Sequence, residues 1–212
     1  MSTPAHPSLA ADASAPLPGW PSLPTPVDPV PLGSASARRV YFSPMLAGDL
    51  EAVCAVEKSA YAHPWSRKHF ADSLASGYPA IMLLGEAGAQ ELVWPQREDG
   101  RVLLGYVVAM PGVDEVHLLN ITVSPKHQRQ GWARCLLDGL VLWSRGQRAL
   151  WLWLEVRAGN VPARGLYDSY GFQAMGLRKN YYPAGQFVRE DAVVMNLNLW
   201  PQTGVVEGAV HD

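Results

Sequence analysis

Apolar residues recur along the chain at two spacings, one typical of helices and the other of β-strands. Helical spacing marks residues 46–60, 66–74, 132–146 and 162–170. Strand patterns mark residues 39–43, 78–85, 102–110, 116–123, 149–156, 172–177 and 192–199, the sixth extending toward Tyr182. The predicted order is β-α-α-β-β-β-α-β-α-β-β, which indicates one mixed α/β domain.

Residues at the ends of these segments support the predicted boundaries. Ser66 is a favourable N-cap for the second helix and Asn160 for the fourth, and Gly171 suits the end of the fourth. Residues 149–156 are nearly all apolar, which is typical of a central parallel strand covered on both faces.

Both ends of the chain differ in composition from the middle. Residues 1–37 contain half of the 18 prolines and no Lys or Arg, so we expect a disordered Pro/Ala-rich extension. Residues 201–212 have the composition of a tail. Residues 38–200 then form the predicted domain, with a polar hairpin loop at 86–100.

The charge balance argues against a protein that coats nucleic acid. The chain has 17 Lys and Arg residues and 19 Asp and Glu residues, for a net charge of -2. All of the basic residues and all but four of the acidic ones fall within 38–200, so the predicted domain is mildly basic. We expect no direct nucleic-acid partner.

Cysteine and histidine spacing favours neither a metal site nor a disulfide framework. Cys54 and Cys135 lie far apart in apolar helical patterns, so we expect buried free thiols, and the six histidines show no metal spacing. No apolar run approaches the roughly 18 residues of a membrane helix, and the N-terminus lacks a secretory signal. We expect a cytoplasmic monomer or weak dimer.

A strand-to-helix turn within residues 120–136 has the features of a phosphate site. The first amides of a helix lack partners, and the helix dipole adds partial positive charge there. Gly131 and Ala133 lack bulk, and Arg129 and Arg134 flank the turn. An ordinary turn with solvated basic residues explains the same pattern, so both interpretations stay open.

Two residues in the last third of the chain are candidates for acid–base chemistry. Glu155 is the one carboxylate in a very apolar strand, and it is either paired with Arg157 or another arginine or serves as a general base. Tyr167 lies in the fourth helix beside Leu166 and is either core packing or a proton donor in a cleft.

Taken together, these segments resemble the GNAT superfamily of acyl-CoA N-acyltransferases, and within it the RimI-like enzymes. Gln128, Gly131 and Ala133 form the motif shared across the superfamily. The stretches that carry the closer resemblance are residues 63–66, 120–123, 152–158, 166–172, 178–183 and 189–192. The long extension, the long 86–100 loop and Trp132 depart from the pattern, and the first two leave oligomerisation and regulation open.

The resemblance implies an α/β (α+β) GNAT fold, with a mixed, mostly antiparallel sheet, flanking helices, and parallel strands four and five that splay apart. It implies Glu155 as the general base and Tyr167 as the general acid. It also implies acetyl-CoA as co-substrate, no metal, and acetyl-CoA contacts at Ile121, Thr122, Val123, Arg129, Gln130, Gly131, Trp132, Ala133, Arg134 and Asn160.

The acceptor implied by the resemblance is the N-terminal alanine of a small-subunit ribosomal protein. Glu190 and Asp191 either attract such a basic segment or are ordinary surface charge. A broader N-terminal or lysine acetyltransferase, a small-molecule acetyltransferase and a non-catalytic acyl-CoA-binding module remain alternatives.

Overall fold

The computed structural model describes residues 39–87, 100–185 and 187–200, and its elements follow the predicted order. Within these ranges the strands are β1 (Val40–Pro44), β2 (Ala80–Glu86), β3 (Arg101–Pro111), β4 (Glu115–Val123), β5 (Trp151–Arg157), β6 (Gln173–Pro183) and β7 (Arg189–Asn198). The helices are α1 (Leu50–Ala60), α2 (Arg67–Ala75), α3 (Trp132–Gly146) and α4 (Val161–Tyr170). The predicted extension, the predicted tail and most of the 86–100 loop lie outside the described residues.

The strands form one sheet in the order β1-β2-β3-β4-β5-β7-β6. All neighbouring pairs are antiparallel except β4 and β5. One core packs α1 and α2 on the first face, and a second core packs α3 and α4 on the opposite face. This is the mixed, mostly antiparallel sheet with flanking helices that the resemblance implies.

Local sequence signals account for the helix boundaries. The Ser66 hydroxyl accepts a hydrogen bond from the His69 amide at 3.4 Å and caps α2. Asn160 caps α4 through Oδ1, 3.2 Å from the Ala163 amide. Gly171 ends α4 at φ 109°, where a side chain would be strained. All three predicted caps are confirmed.

A β-bulge in β4 opens a gap in the middle of the sheet. Leu118 and Asn120 pair with consecutive residues of β3, so Leu119 is an extra residue. Pairing between β4 and β5 ends at Leu118 and Leu154. Because a bulge bends its strand, β4 turns away from β5 beyond this point. The splayed parallel strands four and five are therefore confirmed.

One strand expectation differs from the structure. β5 starts at Trp151, and burial alternates along it, because its even-numbered residues lie in the core beneath α3 and α4 while the described core beneath α1 and α2 includes no residue of β5. The prediction of a strand fully covered on both faces is therefore wrong. The extension of the sixth strand toward Tyr182 is confirmed, since β6 runs to Pro183, and among the described residues this exposed edge strand pairs with β7 alone.

Candidate active site

The gap leaves one backbone edge of β4 without a neighbouring strand. In an antiparallel pair every second residue bonds to the adjacent strand, and the bond from the Ser124 amide to the Leu104 carbonyl shows which residues of β4 do so. By this register Thr122 pairs with β3, whereas Ile121 and Val123 direct their N–H and C=O groups into the gap. Two backbone donors therefore point into the gap.

A tight turn connects this edge to α3. Arg129 (φ 63°) and Gly131 (φ 84°) both adopt the left-handed conformation, which costs a non-glycine residue roughly 1–2 kcal/mol. The Gln128 side chain donates to the Val123 carbonyl at 3.2 Å and ties the turn to β4. The first amides of α3, which have no partner inside the helix, thus lie at the carboxyl end of β4.

The side chains of this turn have several partners. Trp132 Nε1 donates to Gln130 Oε1 at 3.0 Å, and both Trp132 and Ala133 are partly buried. The Arg134 guanidinium lies over the Tyr170 ring of α4, 5.1 Å from its centroid. The backbone of the turn therefore faces the gap edge, while Arg134 extends along the side of α3 that faces α4.

Glu155 lies on β5 one residue beyond the last pair with β4. Even-numbered residues of β5 pack in the core beneath α3 and α4, so Glu155 projects to the opposite face of the sheet. Its side chain is 18% exposed and forms an ion pair with Arg178 Nη2 at 3.1 Å. The pairing alternative is thus confirmed with Arg178, whereas Arg157 has a different partner.

Two carboxylates at the start of β7, those of Glu190 and Asp191, bond to neighbouring segments of the chain. Glu190 pairs with Arg157 at 3.2 Å and accepts from the Gly159 amide at 2.6 Å. Asp191 accepts from the Asn180 amide at 2.8 Å. These bonds favour a structural role for Glu190 and Asp191 over attraction of a basic peptide.

Tyr167 is buried in the core beneath α3 and α4, on the face of the sheet opposite Glu155. Its ring centroid is 5.5 Å from that of Phe172. Burial, and after it the nearby phenols of Tyr61 and Tyr182, raise the pKa of Tyr167 well above its usual range. The phenol therefore keeps its proton at neutral pH.

Tyr182 connects the two candidates. Its hydroxyl donates to the Glu155 carbonyl at 2.9 Å, and its phenol is close enough to Tyr167 to act on the pKa of that group. Burial, followed by the charge of Glu155, raises the pKa of Tyr182 to about 12. Tyr182 therefore lies near both Glu155 and Tyr167.

Glu57 is a candidate functional residue that was not predicted from the sequence. Its side chain is 1% exposed. It accepts hydrogen bonds from the Trp65 amide at 2.8 Å, Asn120 Nδ2 at 3.3 Å, Thr122 Oγ1 at 3.2 Å and the Tyr106 hydroxyl. The available signal was its position on the apolar face of α1, two turns after the buried Leu50.

Other kinds of site find no support among the described residues. They hold no cluster of three or more His, Cys, Asp or Glu side chains that could bind a metal ion. In the same part of the chain no helix is long and apolar enough to cross a membrane. Both thiols are free, Cys54 being buried as expected and Cys135 partly buried.

A mixed sheet whose parallel strands four and five splay beside a helix N-terminus matches the GNAT fold of N-acyltransferases. The sequence profile of the acetyltransferase (GNAT) family matches residues 50–172, and the chain belongs to this family. It is therefore an acetyltransferase.

Two related enzymes show which kind of acetyltransferase the chain is similar to. The chain is 37% identical over 149 residues to the [ribosomal protein bS18]-alanine N-acetyltransferase of Escherichia coli (strain K12), covering 70% of this chain and 90% of that one. The enzyme of the same name from Haemophilus ducreyi is 34% identical over 151 residues, covering 71% and 94%.

Solved structures agree. The ribosomal-protein-S18-alanine N-acetyltransferase from Escherichia coli superposes with a TM-score of 0.63 at 34% identity, covering 76% of this chain and 94% of that one. Arabidopsis thaliana Naa50, solved with the bisubstrate analogue CoA-Ac-MVNAL, superposes with a TM-score of 0.58 at 16% identity, covering 75% and 98%. The latter likeness supports the fold alone.

Proposed function

We propose that this protein transfers an acetyl group from acetyl-CoA to the α-amine of the N-terminal alanine of a small-subunit ribosomal protein. Transfer is direct, with Glu155 as general base and Tyr167 as general acid, and takes place in the cytoplasm. The observation that carries the proposal is the gap between β4 and β5, with the carboxylate on one face and the phenol on the other. The bS18-modifying relatives support the choice of acceptor.

The donor set at the gap fits an acyl-CoA. The first amides of α3 and the small Gly131 suit a pyrophosphate, with Arg129 as a nearby cation. The gap-facing amides of Ile121 and Val123 suit the carbonyl groups of an extended chain. Residues 121–123, 129–134 and Asn160 are the proposed acetyl-CoA contacts.

When bound, acetyl-CoA supplies an activated acyl carbon and a thiolate leaving group. Glu155 takes the proton of the incoming ammonium, directly or through a water molecule. The substrate ammonium competes with Arg178 for this carboxylate, because both are cations that seek the same oxygen atoms. Glu155 thereby holds the amine on its own face of the gap.

On the opposite face Tyr167 completes the transfer. The amides of Ile121 and Val123 stabilise the oxyanion that forms when the amine attacks. The phenol of Tyr167 then donates its proton to the leaving thiolate, and the proton that the attacking nitrogen loses as the amide forms restores the phenol. A phenol, whose ordinary pKa is near 10, is protonated at neutral pH, and the burial that raises the pKa of Tyr167 keeps it so.

The chemistry favours an N-terminal amine over a lysine side chain. An α-amine has a pKa near 7.7–8.0 and a lysine near 10.4, so neutralising a lysine costs roughly 3 kcal/mol more at neutral pH. A single carboxylate that is already paired with an arginine suits the easier deprotonation.

The proposal is tested by incubating the purified chain with acetyl-CoA and three peptides, and by mapping the products with mass spectrometry. The first peptide has the ribosomal N-terminus with a free alanine. The second has the same sequence with a blocked N-terminus and free lysines. The third begins with an unrelated residue. We expect acetylation of the first peptide alone.

Each other outcome identifies an alternative. Lysine acetylation of the second peptide would keep the fold and overturn the acceptor. Acetylation of the third would indicate a broader N-terminal specificity. Acetyl-CoA binding without any transfer would favour a non-catalytic acyl-CoA-binding module.

A further inference from the structure

Glu57 is a buried charge that the proposed chemistry does not use. Burying a carboxylate costs free energy unless donors surround it, and Glu57 is 1% exposed. Its two oxygen atoms accept from four donors, so the charge is fully hydrogen-bonded. Replacing such buried charged groups with well-packed apolar side chains is often neutral or stabilising. Stability alone therefore does not account for a carboxylate here.

The four donors come from three elements around the gap. Tyr106 belongs to β3, and Asn120 and Thr122 belong to the part of β4 that follows the bulge. The Trp65 amide belongs to the loop between α1 and α2. Glu57 thus holds this loop against the stretch of β4 that departs from β5.

Tyr61 contacts the gap edge beside these bonds. Thr122 Oγ1 is 3.2 Å from Glu57 Oε2 and 3.2 Å from the phenol oxygen of Tyr61, and its single proton serves one of these acceptors at a time. Tyr61 in turn donates to the gap-facing carbonyl of Ile121 at 3.1 Å. Tyr61 is also one of the two phenols close enough to act on the pKa of Tyr167. Tyr61 therefore lies between the gap edge and the proposed acid.

We infer that Glu57 is a positioning residue for acetyl transfer, which holds the stretch of β4 beyond the bulge against the loop between α1 and α2 and so fixes the gap edge, which Tyr61 also contacts at Ile121. The inference rests on the proposed function. Glu57 is too deeply buried to touch a substrate, so it acts through these neighbours. The α3 turn, which is the proposed phosphate site, takes no part in this network. Loss of Glu57 therefore lowers kcat and leaves acetyl-CoA affinity nearly intact.

The first test compares Glu57→Gln with Ser73→Ala in the full chain. Glutamine has nearly the same size as glutamate. Its amide N–H₂ group is a donor, however, and it faces groups that donate to the carboxylate in the native protein. We expect kcat to fall about 10–100-fold, as a displaced reaction geometry does. The acetyl-CoA Kd, measured by calorimetry, stays within about threefold. Ser73→Ala removes one buried hydrogen bond on α2, to the His69 carbonyl, and keeps kcat.

The second test uses Tyr61→Phe, which removes only the phenol oxygen that donates to the Ile121 carbonyl. We expect kcat to fall about five- to tenfold, the worth of one hydrogen bond. The double variant is no slower than Glu57→Gln alone within about twofold, because both residues act on the same stretch of β4. Multiplied effects in the double variant would overturn the inference.

Other outcomes also decide the question. If kcat and acetyl-CoA affinity fall together, in step with the melting temperature, Glu57 serves stability only and the inference fails. If Glu57→Gln does not fold, Tyr61→Phe decides alone, since its ring is at the surface, and an unchanged kcat overturns the inference.

Failure of the proposed function has a separate signature. If the unsubstituted chain acetylates a lysine or a different N-terminus, the proposed acceptor is wrong but the positioning role is still tested. The same variants are then measured on the acceptor that is modified. If the unsubstituted chain transfers acetyl to none of the peptides, both the proposed function and the positioning role are overturned.

Discussion

At the scale of single residues, the phenol of Tyr167 gives the most direct test of the mechanism. Tyr167→Phe removes the proton donor but keeps the ring that packs against Phe172. We expect kcat to fall by about 10²–10⁴, the usual contribution of a general acid. The acetyl-CoA Kd changes little, because the phosphate and amide contacts remain. Single-turnover kinetics with the alanine peptide measures the step directly.

Tyr170→Phe is the matched control for this prediction. Tyr170 lies three residues further along α4, and its hydroxyl donates to Asp138 at 2.7 Å, away from the gap. We expect this variant to keep kcat and to lose some stability. Equal activity of Tyr167→Phe and the unsubstituted chain would remove Tyr167 from the mechanism.

Cys135 provides a second prediction at this scale. Burial, with the nearby Asp138 as the smaller cause, raises the pKa of its thiol to about 11. At pH 7.5 about one thiol in three thousand is then ionised, and the thiolate is the reactive form. We expect iodoacetamide to leave Cys135 unmodified in the folded chain and Cys135→Ala to keep kcat.

The unfolded chain in guanidinium is the control for the labelling, and both cysteines should react there. Rapid labelling of the native protein with parallel loss of transfer would instead indicate a thiol in the reaction path. Such a result would contradict direct transfer from acetyl-CoA to the amine.

The roles of single residues could be predicted from the sequence where they depend on residues nearby in the chain. Ser66, Asn160 and Gly171 act within a few positions of the backbone groups that they cap. The Glu155–Arg178 pair was not predictable, because β7 lies between β5 and β6 and only the strand order brings the two side chains together. Glu57 was missed because a carboxylate on a helix is usually solvated.

At the scale of elements, variants of Asn160 separate two roles of its side chain, namely capping α4 and the proposed binding of acetyl-CoA. Its Oδ1 caps α4, so Asn160→Ala should lower the free energy of unfolding by about 1 kcal/mol. Asn160→Asp keeps the cap and adds a charge that the helix dipole favours, so stability is maintained. If the Nδ2 amide binds acetyl-CoA as proposed, this variant should weaken the acetyl-CoA Kd about five- to tenfold.

Calorimetry and chemical unfolding of the two variants separate these roles. An unchanged acetyl-CoA Kd in Asn160→Asp would limit Asn160 to capping α4. A loss of stability in Asn160→Asp equal to that in Asn160→Ala would mean that the cap itself was misassigned.

The order of the helices and strands could largely be predicted from the sequence, whereas the irregularities within the strands could not. Period and caps predicted the order of strands and helices, because each depends on residues close in sequence. The bulge at Leu119 left no signal in the pattern, since Leu118 and Leu119 are both apolar. The gap was therefore expected only from the family resemblance, although the bulge is its physical cause.

At the scale of the whole molecule, several tyrosines make the folded state sensitive to alkali. Burial is the largest cause in each case and raises the pKa of Tyr106, Tyr167 and Tyr170 above the usual range, and that of Tyr182 to about 12. In the unfolded chain these phenols lose their protons near pH 10, earlier than in the folded chain. The unfolded state then binds fewer protons, so stability falls as pH rises.

We therefore expect these phenols to leave the free energy of unfolding unchanged between pH 7 and 9 and to lower it steeply above pH 10. Each phenol that keeps its proton only in the folded state adds up to about 1.36 kcal/mol per pH unit to the slope. Urea unfolding at a series of pH values measures it, and Tyr182→Phe should reduce the slope between pH 10 and 12. A free energy that stayed level up to pH 11.5 would contradict the burial of these phenols, that of Tyr167 included.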